Sequence, residues 1–212
     1  MRVGFAFLLF LPGLACAQTK FFVFSGSKEV GRATYHQAPN MSGGKDTELT
    51  MFLTVNGAPR KVVRQESFDA KGRQLYCSIT SRIGKQKALH GSAAKIDGKG
   101  VASVIYNLSY GKGRQTLAKP RGARDNASVY WFVKAVPTAG AKATYFRYNL
   151  DRDVWEMETT TYVKKLVVDV HGKPVDGYDL VTSSRNDPRE TIVDQYGIPL
   201  MLVTKLYRLE RI

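Results

Sequence analysis

ELTMFLTVNGAP, residues 48 to 59, carries a period of two. Leu49, Met51, Leu53 and Val55 share one face while Thr50 and Thr54 turn away, which is the period of a half-buried strand. The run then meets Asn56-Gly57, a dipeptide that readily takes the two left-handed positions of a tight hairpin turn. A strand with one apolar and one polar face that enters such a turn belongs in antiparallel sheet. The same grammar recurs along the chain. In VASVIYNLSY, Val104, Tyr106, Leu108 and Tyr110 face one way and Ser103, Asn107 and Ser109 the other. VWEMETTTYV, residues 154 to 163, is rich in the aromatic and β-branched residues that suit a pleated surface. Asp97-Gly98 and the D-x-x-G frames at 69–72, 97–100 and 194–197 punctuate the strands.

Three short words occur twice, in the same order. Ala33-Thr34-Tyr35 returns as Ala143-Thr144-Tyr145, Val55-Asn56-Gly57-Ala58-Pro59 as Val170-His171-Gly172-Lys173-Pro174, and FDAKGRQLY from Phe68 as VDQYGIPLM from Val193. The offsets of 110, 115 and 125 imply insertions of 5 and then 10 residues in the connections of the second copy. Three words in register order, all at turn-and-strand positions, favour an internal duplication; reuse of Gly, Asn, Asp and Pro in turns is the alternative. The duplication also bears on the C-terminus, where Leu202, Leu206 and Leu209 fit helical spacing. PLMLVTKLYRL then corresponds to RQLYCSITSRI, which favours strand. The resulting expectation is an all-β chain, an antiparallel curved sheet forming a half-barrel or β-clam from two related halves, about 20–84 and 130–212. A basic connector with a hairpin, 85–129, joins them within a single domain, 18–212.

The ends and the cysteines set the compartment. MRVGFAFLLFLPGLACAQ places Arg2 before a short apolar run and ends in Ala15-Cys16-Ala17, the layout of a secretory signal peptide spanning 1–17. The run is too short for a bilayer span. A periplasmic or extracellular mature chain from Gln18 is expected. A lipoprotein anchored through Cys16 is the alternative, but Gly13 stands where such proteins usually carry Leu. Cys77 is then the only cysteine left, so no internal disulfide forms. It alternates with Leu75 and Ile79, as a buried apolar residue does.

At this point Val30-Gly31-Arg32-Ala33-Thr34-Tyr35 and the closing D-x-x-G hairpin show a resemblance. The chain is similar to uncharacterised exported bacterial β-rich envelope domains, themselves like the β-clams that carry lipids or lipoproteins across the periplasm. The resemblance implies a fold and a binding role. It brings no catalytic residues with it.

Charge is unevenly spread. Residues 18–59 and 126–212 each have a net charge of +1, whereas residues 60–125 hold fifteen bases and four acids. The densest part is GKGRQTLAKPRGARDN, 111–126, whose Lys112, Arg114, Lys119, Arg121 and Arg124 are candidate anion-binding residues. A one-sided field of this kind concentrates anions such as lipid head groups, lipopolysaccharide, wall polymers and acidic proteins. A solvated connector and protection of an exposed sheet edge are the competing readings of the same side chains. Nucleic-acid modules leave signatures that are missing here.

Catalytic signatures are also missing. His36, His90 and His171 are isolated, without metal-ligand spacing, and no metal or other cofactor is expected. His171 takes the turn position that Asn56 holds in the other copy. Glu156 and Glu158 share a strand face, as two glycosidase carboxylates do; opposing Lys or Arg across the sheet is the simpler account. Asp151-Arg152-Asp153 reads as a polar turn, and the sequons at Asn40, Asn107 and Asn126 carry no weight. The leading expectation is an exported, non-catalytic envelope protein that binds a lipid-like or anionic ligand, with peripheral membrane contact. A structural or adaptor subunit of an envelope complex comes next, then an exported hydrolase of an anionic or sugar polymer.

Overall fold

The computed structural model describes residues 18–84, 90–108, 111–123, 131–134, 137–185 and 187–212. The expected leader 1–17, Cys16, Tyr110, Arg124 and Asn126 lie outside the described residues. Strands account for most of what is described: β1 (Thr19–Ser25), β2 (Lys28–Pro39), β3 (Lys45–Val55), β4 (Ala58–Phe68), β5 (Gln74–Ile83), β6 (His90–Ile96), β7 (Val101–Leu108) and β8 (Gly111–Ala118). A four-residue helix, α1 (Trp131–Lys134), precedes β9 (Lys142–Asn149), β10 (Val154–Val170), β11 (Lys173–Ser183), β12 (Arg189–Val193), β13 (Pro199–Val203) and β14 (Arg208–Arg211).

All of them belong to one sheet, ordered β8-β7-β6-β5-β4-β3-β2-β1-β14-β13-β12-β11-β10-β9. Each neighbour follows in sequence except at the middle, where β1 pairs antiparallel with β14. The sheet is thus two antiparallel meanders, β1–β8 and β9–β14, joined by the first and last strands. The fold is all-β and curved, and the C-terminus is a hairpin rather than a helix.

The turns do what their residues allow. Asn56 and Gly57 have φ of 50° and 76°, and His171 and Gly172 have 52° and 76°, so both pairs occupy the left-handed positions of a two-residue hairpin. His171 is a turn residue. In each D-x-x-G frame the aspartate Oδ1 accepts the amides two and four residues on: Lys71 and Arg73 on Asp69, Lys99 and Val101 on Asp97, Tyr196 and Ile198 on Asp194. The glycine, at positive φ, donates back to the aspartate carbonyl. Asn40 builds the same turn with Ser42, Gly43 and Gly44, and its amide also donates to Asp46, Ser67 and the Phe68 carbonyl.

The repeated words fall on comparable places: β2 and β9, the β3–β4 and β10–β11 turns, and the β4–β5 and β12–β13 turns. Between the second and third words the C-terminal meander has one strand more. The ten extra residues are therefore a strand with its connection, where a longer loop was expected.

The two meanders roll towards each other, and the inner face fills with Phe21, Val23, Ala33, Met51, Leu53, Val62 and Leu209. Each of these side chains other than Ala33 contributes about 1.5–3 kcal/mol on removal from water. Phe132 of α1 adds to a second cluster with Tyr162, Leu180 and Val193. Among the described residues no helix is long and apolar enough to cross a membrane.

Gly31 permits the closest backbone approach in the first meander. It follows a bulge at Val30, where the register passes from Val23↔Gly31 to Phe24↔Glu29. A Cβ at Gly31 would sit 1.9 Å from the Phe52 carbonyl oxygen. Gly31→Ala is expected to separate β2 from β3 and cost about 1–3 kcal/mol, measured by urea denaturation; unchanged stability would mean that the strands part without penalty.

Candidate functional site

The β8 and β9 ends of the sheet are not laddered to each other. Instead the free edge of β9 runs against the inner face of β4 and β5. There the Tyr148 amide donates to Gln74 Oε1 at 2.8 Å, and the Cys77 thiol lies 3.9 Å from the Tyr148 carbonyl. Side chains on β9 then point to two sides of this junction. Tyr148, fully buried, enters a pocket formed by Cys77, Ala94, Ile96, Ala102 and Val104 on β5–β7. Arg147 points to the other side, into the roll.

Arg147 meets charge there. Its fork grips both carboxylate oxygens of Glu66 on β4, with Nε 3.0 Å from Oε1. It also lies 3.7 Å from Glu158 on β10. Arg189 on β12 holds Glu158 through a second fork at 3.0 and 2.6 Å. Glu158 and Arg189 are only 5% and 13% exposed, so these charges are desolvated as well as paired. Burial acts to raise the Glu158 carboxyl, but the charges of Arg147 and Arg189 outweigh it and hold the group below its ordinary value. Glu156, also buried, accepts from Asn149 at 2.9 Å. The basic partners anticipated across the sheet are thus present for Glu158. A carboxylate held ionised by two guanidiniums has no proton to give to a leaving group, so Glu158 is unsuited to act as a general acid.

In VWEMETTTYV, Glu156, Glu158, Thr160 and Tyr162 face inward, while Val154, Met157 and Val163 are exposed. The apolar residues of this strand do not mark its buried face.

The turn between β9 and β10 is more than a polar connection. Asp151 pairs with Arg64 of β4 at 2.5 Å. Asp153, at φ 60°, accepts from Tyr106 on β7, Gln115 on β8 and its neighbour Tyr148. Burial first, then hydrogen bonding and charge at Asp153, raises both tyrosine hydroxyls above their ordinary range. Two residues on, the Trp155 indole donates to the Leu117 carbonyl at 3.1 Å. These contacts clasp β7 and β8 over the outer face of the β9–β10 hairpin.

The basic stretch is drawn into this overlap. Residues 111–118 are not a connector but the last strand of the sheet, paired with β7 from Val101↔Ala118 to Leu108↔Gly111. The ladder is possible because Gly113, Gln115 and Leu117 line the inner side, where β8 needs little bulk. Lys112 and Arg114 are exposed on the other side, and Arg121 lies in the turn that follows. Lys119 leaves the group: its amide donates to the Gly100 carbonyl at 2.8 Å, and its ammonium lies 5.5 Å from the centre of the Phe146 ring. Arg124 lies outside the described residues.

Lys119 lines a cleft of about 130 Å³ with Arg73, Lys99, Phe146 and Trp155. It opens where the β4–β5 and β6–β7 turns reach the β9–β10 hairpin. Sequence spacing gives no sign that Arg73 and Lys99 join Lys119, because the three lie on separate turns. A wider, shallower cleft of about 560 Å³ lies between the β1–β2 and β3–β4 turns, walled by Lys28, Glu29 and Asn56. Among the described residues no group of three or more His, Cys, Asp or Glu side chains is placed to hold a metal ion.

Neither a family model nor a curated protein matches the sequence. The fold is similar to that of a solved structure, a beta-barrel-like protein of domain of unknown function DUF1849 from Brucella abortus. The TM-score is 0.62 over 92% of this chain and 94% of that one, at 11% identity. The likeness is one of fold, to a bacterial β-rich domain of unknown function.

Two outcomes follow from the junction. Glu158→Gln leaves two guanidiniums underpaired in the interior and is expected to cost about 3–5 kcal/mol. Because the folded carboxyl is depressed, its contribution is present above the ordinary carboxylate range and is lost as pH falls through the folded value. Urea titrations across acid pH should therefore show a shallower pH slope for the variant than for the parent chain; an equal slope would mean that Glu158 is not held ionised. Burial, then the Glu66 charge, pushes the Cys77 thiol up to about 12. In a chain expressed from Gln18, Ellman's reagent should label Cys77 only after unfolding; rapid labelling of native protein would contradict this burial.

Proposed function

We propose that the chain is an exported, non-catalytic protein of the cell envelope that docks an anionic envelope surface on one wing of its sheet. One observation carries the reading. The residues with fifteen bases and four acids, 60–125, are the ones that build β4–β8, so the cationic excess sits on one arm of the roll. Arg64 on this arm is spoken for, paired with Asp151. Lys112, Arg114 and Arg121 have no ion-pair partner among the described residues, and all three are exposed. Cations that fix nothing inside the protein keep their field for something outside it.

The lipid-carrier form of the expectation finds less support. The interior of the roll is crossed by Glu66, Arg147, Glu158 and Arg189, and an acyl chain placed there would lie against desolvated charge. Anionic groups are better met from outside, on the wing. The same surface protects the β8 edge from pairing with another copy, since Lys and Arg on both edges repel. The two roles are compatible.

Vesicle co-sedimentation of the chain from Gln18 tests this. Binding is expected to phosphatidylglycerol vesicles, not to phosphatidylcholine vesicles, and should fade as salt shortens the reach of the charges. Lys112→Gln with Arg114→Gln should weaken it by about 2 kcal/mol, about thirtyfold. Equal partition to both vesicle types, or none to either, would move the reading to an adaptor that recognises protein.

A further inference from the structure

We propose that the cleft between the β4–β5 turn, the β6–β7 turn and the β9–β10 hairpin is a site for a phosphate monoester carrying an apolar substituent. The proposal rests on the anion-docking reading and narrows it to one place. Three cations from separate turns, Arg73, Lys99 and Lys119, line one small cleft. The one carboxylate on its wall, Asp97, is turned back on its own loop, accepting the Lys99 and Val101 amides at 2.8 and 2.9 Å. Arg73 is oriented by Asp69 at 2.7 Å and keeps further donors on its fork. Cations set on three walls suit a tetrahedral dianion, which can be approached from several directions. A planar carboxylate is better served by a single guanidinium fork.

Size and lining narrow the class. A volume of about 130 Å³ holds about four waters, enough for a phosphate group and the first atoms of its ester but not for a polymer. Phe146 and Trp155 add aromatic surface to the cation-bearing walls. Beyond them the surface stays apolar, because Phe146 is paired across the ladder with Met157, which is 56% exposed. A phosphate in the cleft therefore leaves its substituent over Phe146 and Met157. A lipid head group and a soluble phosphate ester share this chemistry.

Trp155 reports on the site directly. The test titrates the chain from Gln18 in a Trp131→Phe background with hexyl phosphate, a soluble monoester with an apolar substituent, and with dihexanoyl phosphatidic acid, following Trp155 emission. Calorimetry on the parent chain gives the same constants if that background fails to fold. Saturable binding is expected, weakened at least about tenfold by Lys99→Gln or Lys119→Gln and unaffected by Lys112→Gln. Tighter binding of the phosphatidic acid identifies a lipid source; equal binding identifies a soluble ester; both support the site. No saturable response to either probe, or a response that survives Lys99→Gln and Lys119→Gln, overturns it. Overturned while phosphatidylglycerol vesicles still bind, the cleft falls and the docking wing stands. Saturable binding without vesicle binding leaves the cleft and removes the wing.

Discussion

Arg147 reaches from the outer strand of one meander to Glu66 in the middle of the other, and the shape of the molecule depends on that reach. A curved antiparallel sheet with two uncovered ends has many ways to roll, because apolar faces are indifferent to small slides. A guanidinium fork is not indifferent: both of its bonds to Glu66 exist only when β9 crosses β4 at one height. Arg189 repeats the device on Glu158, so the three walls β4, β9–β10 and β12 are indexed to one another. Desolvating four charges offsets much of what their attraction contributes. The pairing therefore adds position more than stability, while Phe21, Val23, Leu53 and their neighbours supply the burial.

The edge of β9 shows how the same junction handles the backbone. An uncovered edge offers unpaired amides and carbonyls to any passing strand. Here Gln74 accepts the Tyr148 amide, so a side chain of the sheet's own inner face takes the place of a further strand. With the Tyr148 amide of that edge bonded to β5, the outer face of β9–β10 is left for β6–β8 to cover, and Tyr148 fills the space beneath them. The overlap, with its Asp153 clasp, follows from where β9 stops.

Local structure was legible because it is set locally. Asn56-Gly57, His171-Gly172 and the D-x-x-G frames specify turns through their own φ values and side-chain oxygens, and Leu49, Met51 and Leu53 show their buried face by period. The same reasoning passed over Asn40, whose turn lacks the aspartate of the others, although N-x-x-G satisfies the same bonds. It could not reach the closure. Glu156 and Glu158 look like the solvent side of β10 until Arg147 and Arg189 are set beside them, and those residues are brought there by pairings across the roll. Asp153 likewise gains its meaning from Tyr106 and Gln115, 47 and 38 residues away. GKGRQTLA misleads in the opposite direction: an end strand with one laddered side and a shallow inner face needs only Leu117 and Gln115, so glycine and charge do not exclude it from the sheet.

The separation of the two charge systems makes the basic wing informative. Glu66 and Glu158 are paired with Arg147 and Arg189, so these four charges contribute almost no net field outside. The excess of residues 60–125 includes Lys112, Arg114 and Arg121, which have no ion-pair partner among the described residues, and Lys99 and Lys119 at the cleft. If cations were spread only for solubility, the β9–β14 arm would share them, yet that arm is balanced at twelve against eleven over residues 126–212. Solubility has no reason to choose an arm. An anionic partner does, because attraction is strongest when the charges facing it lie on one side.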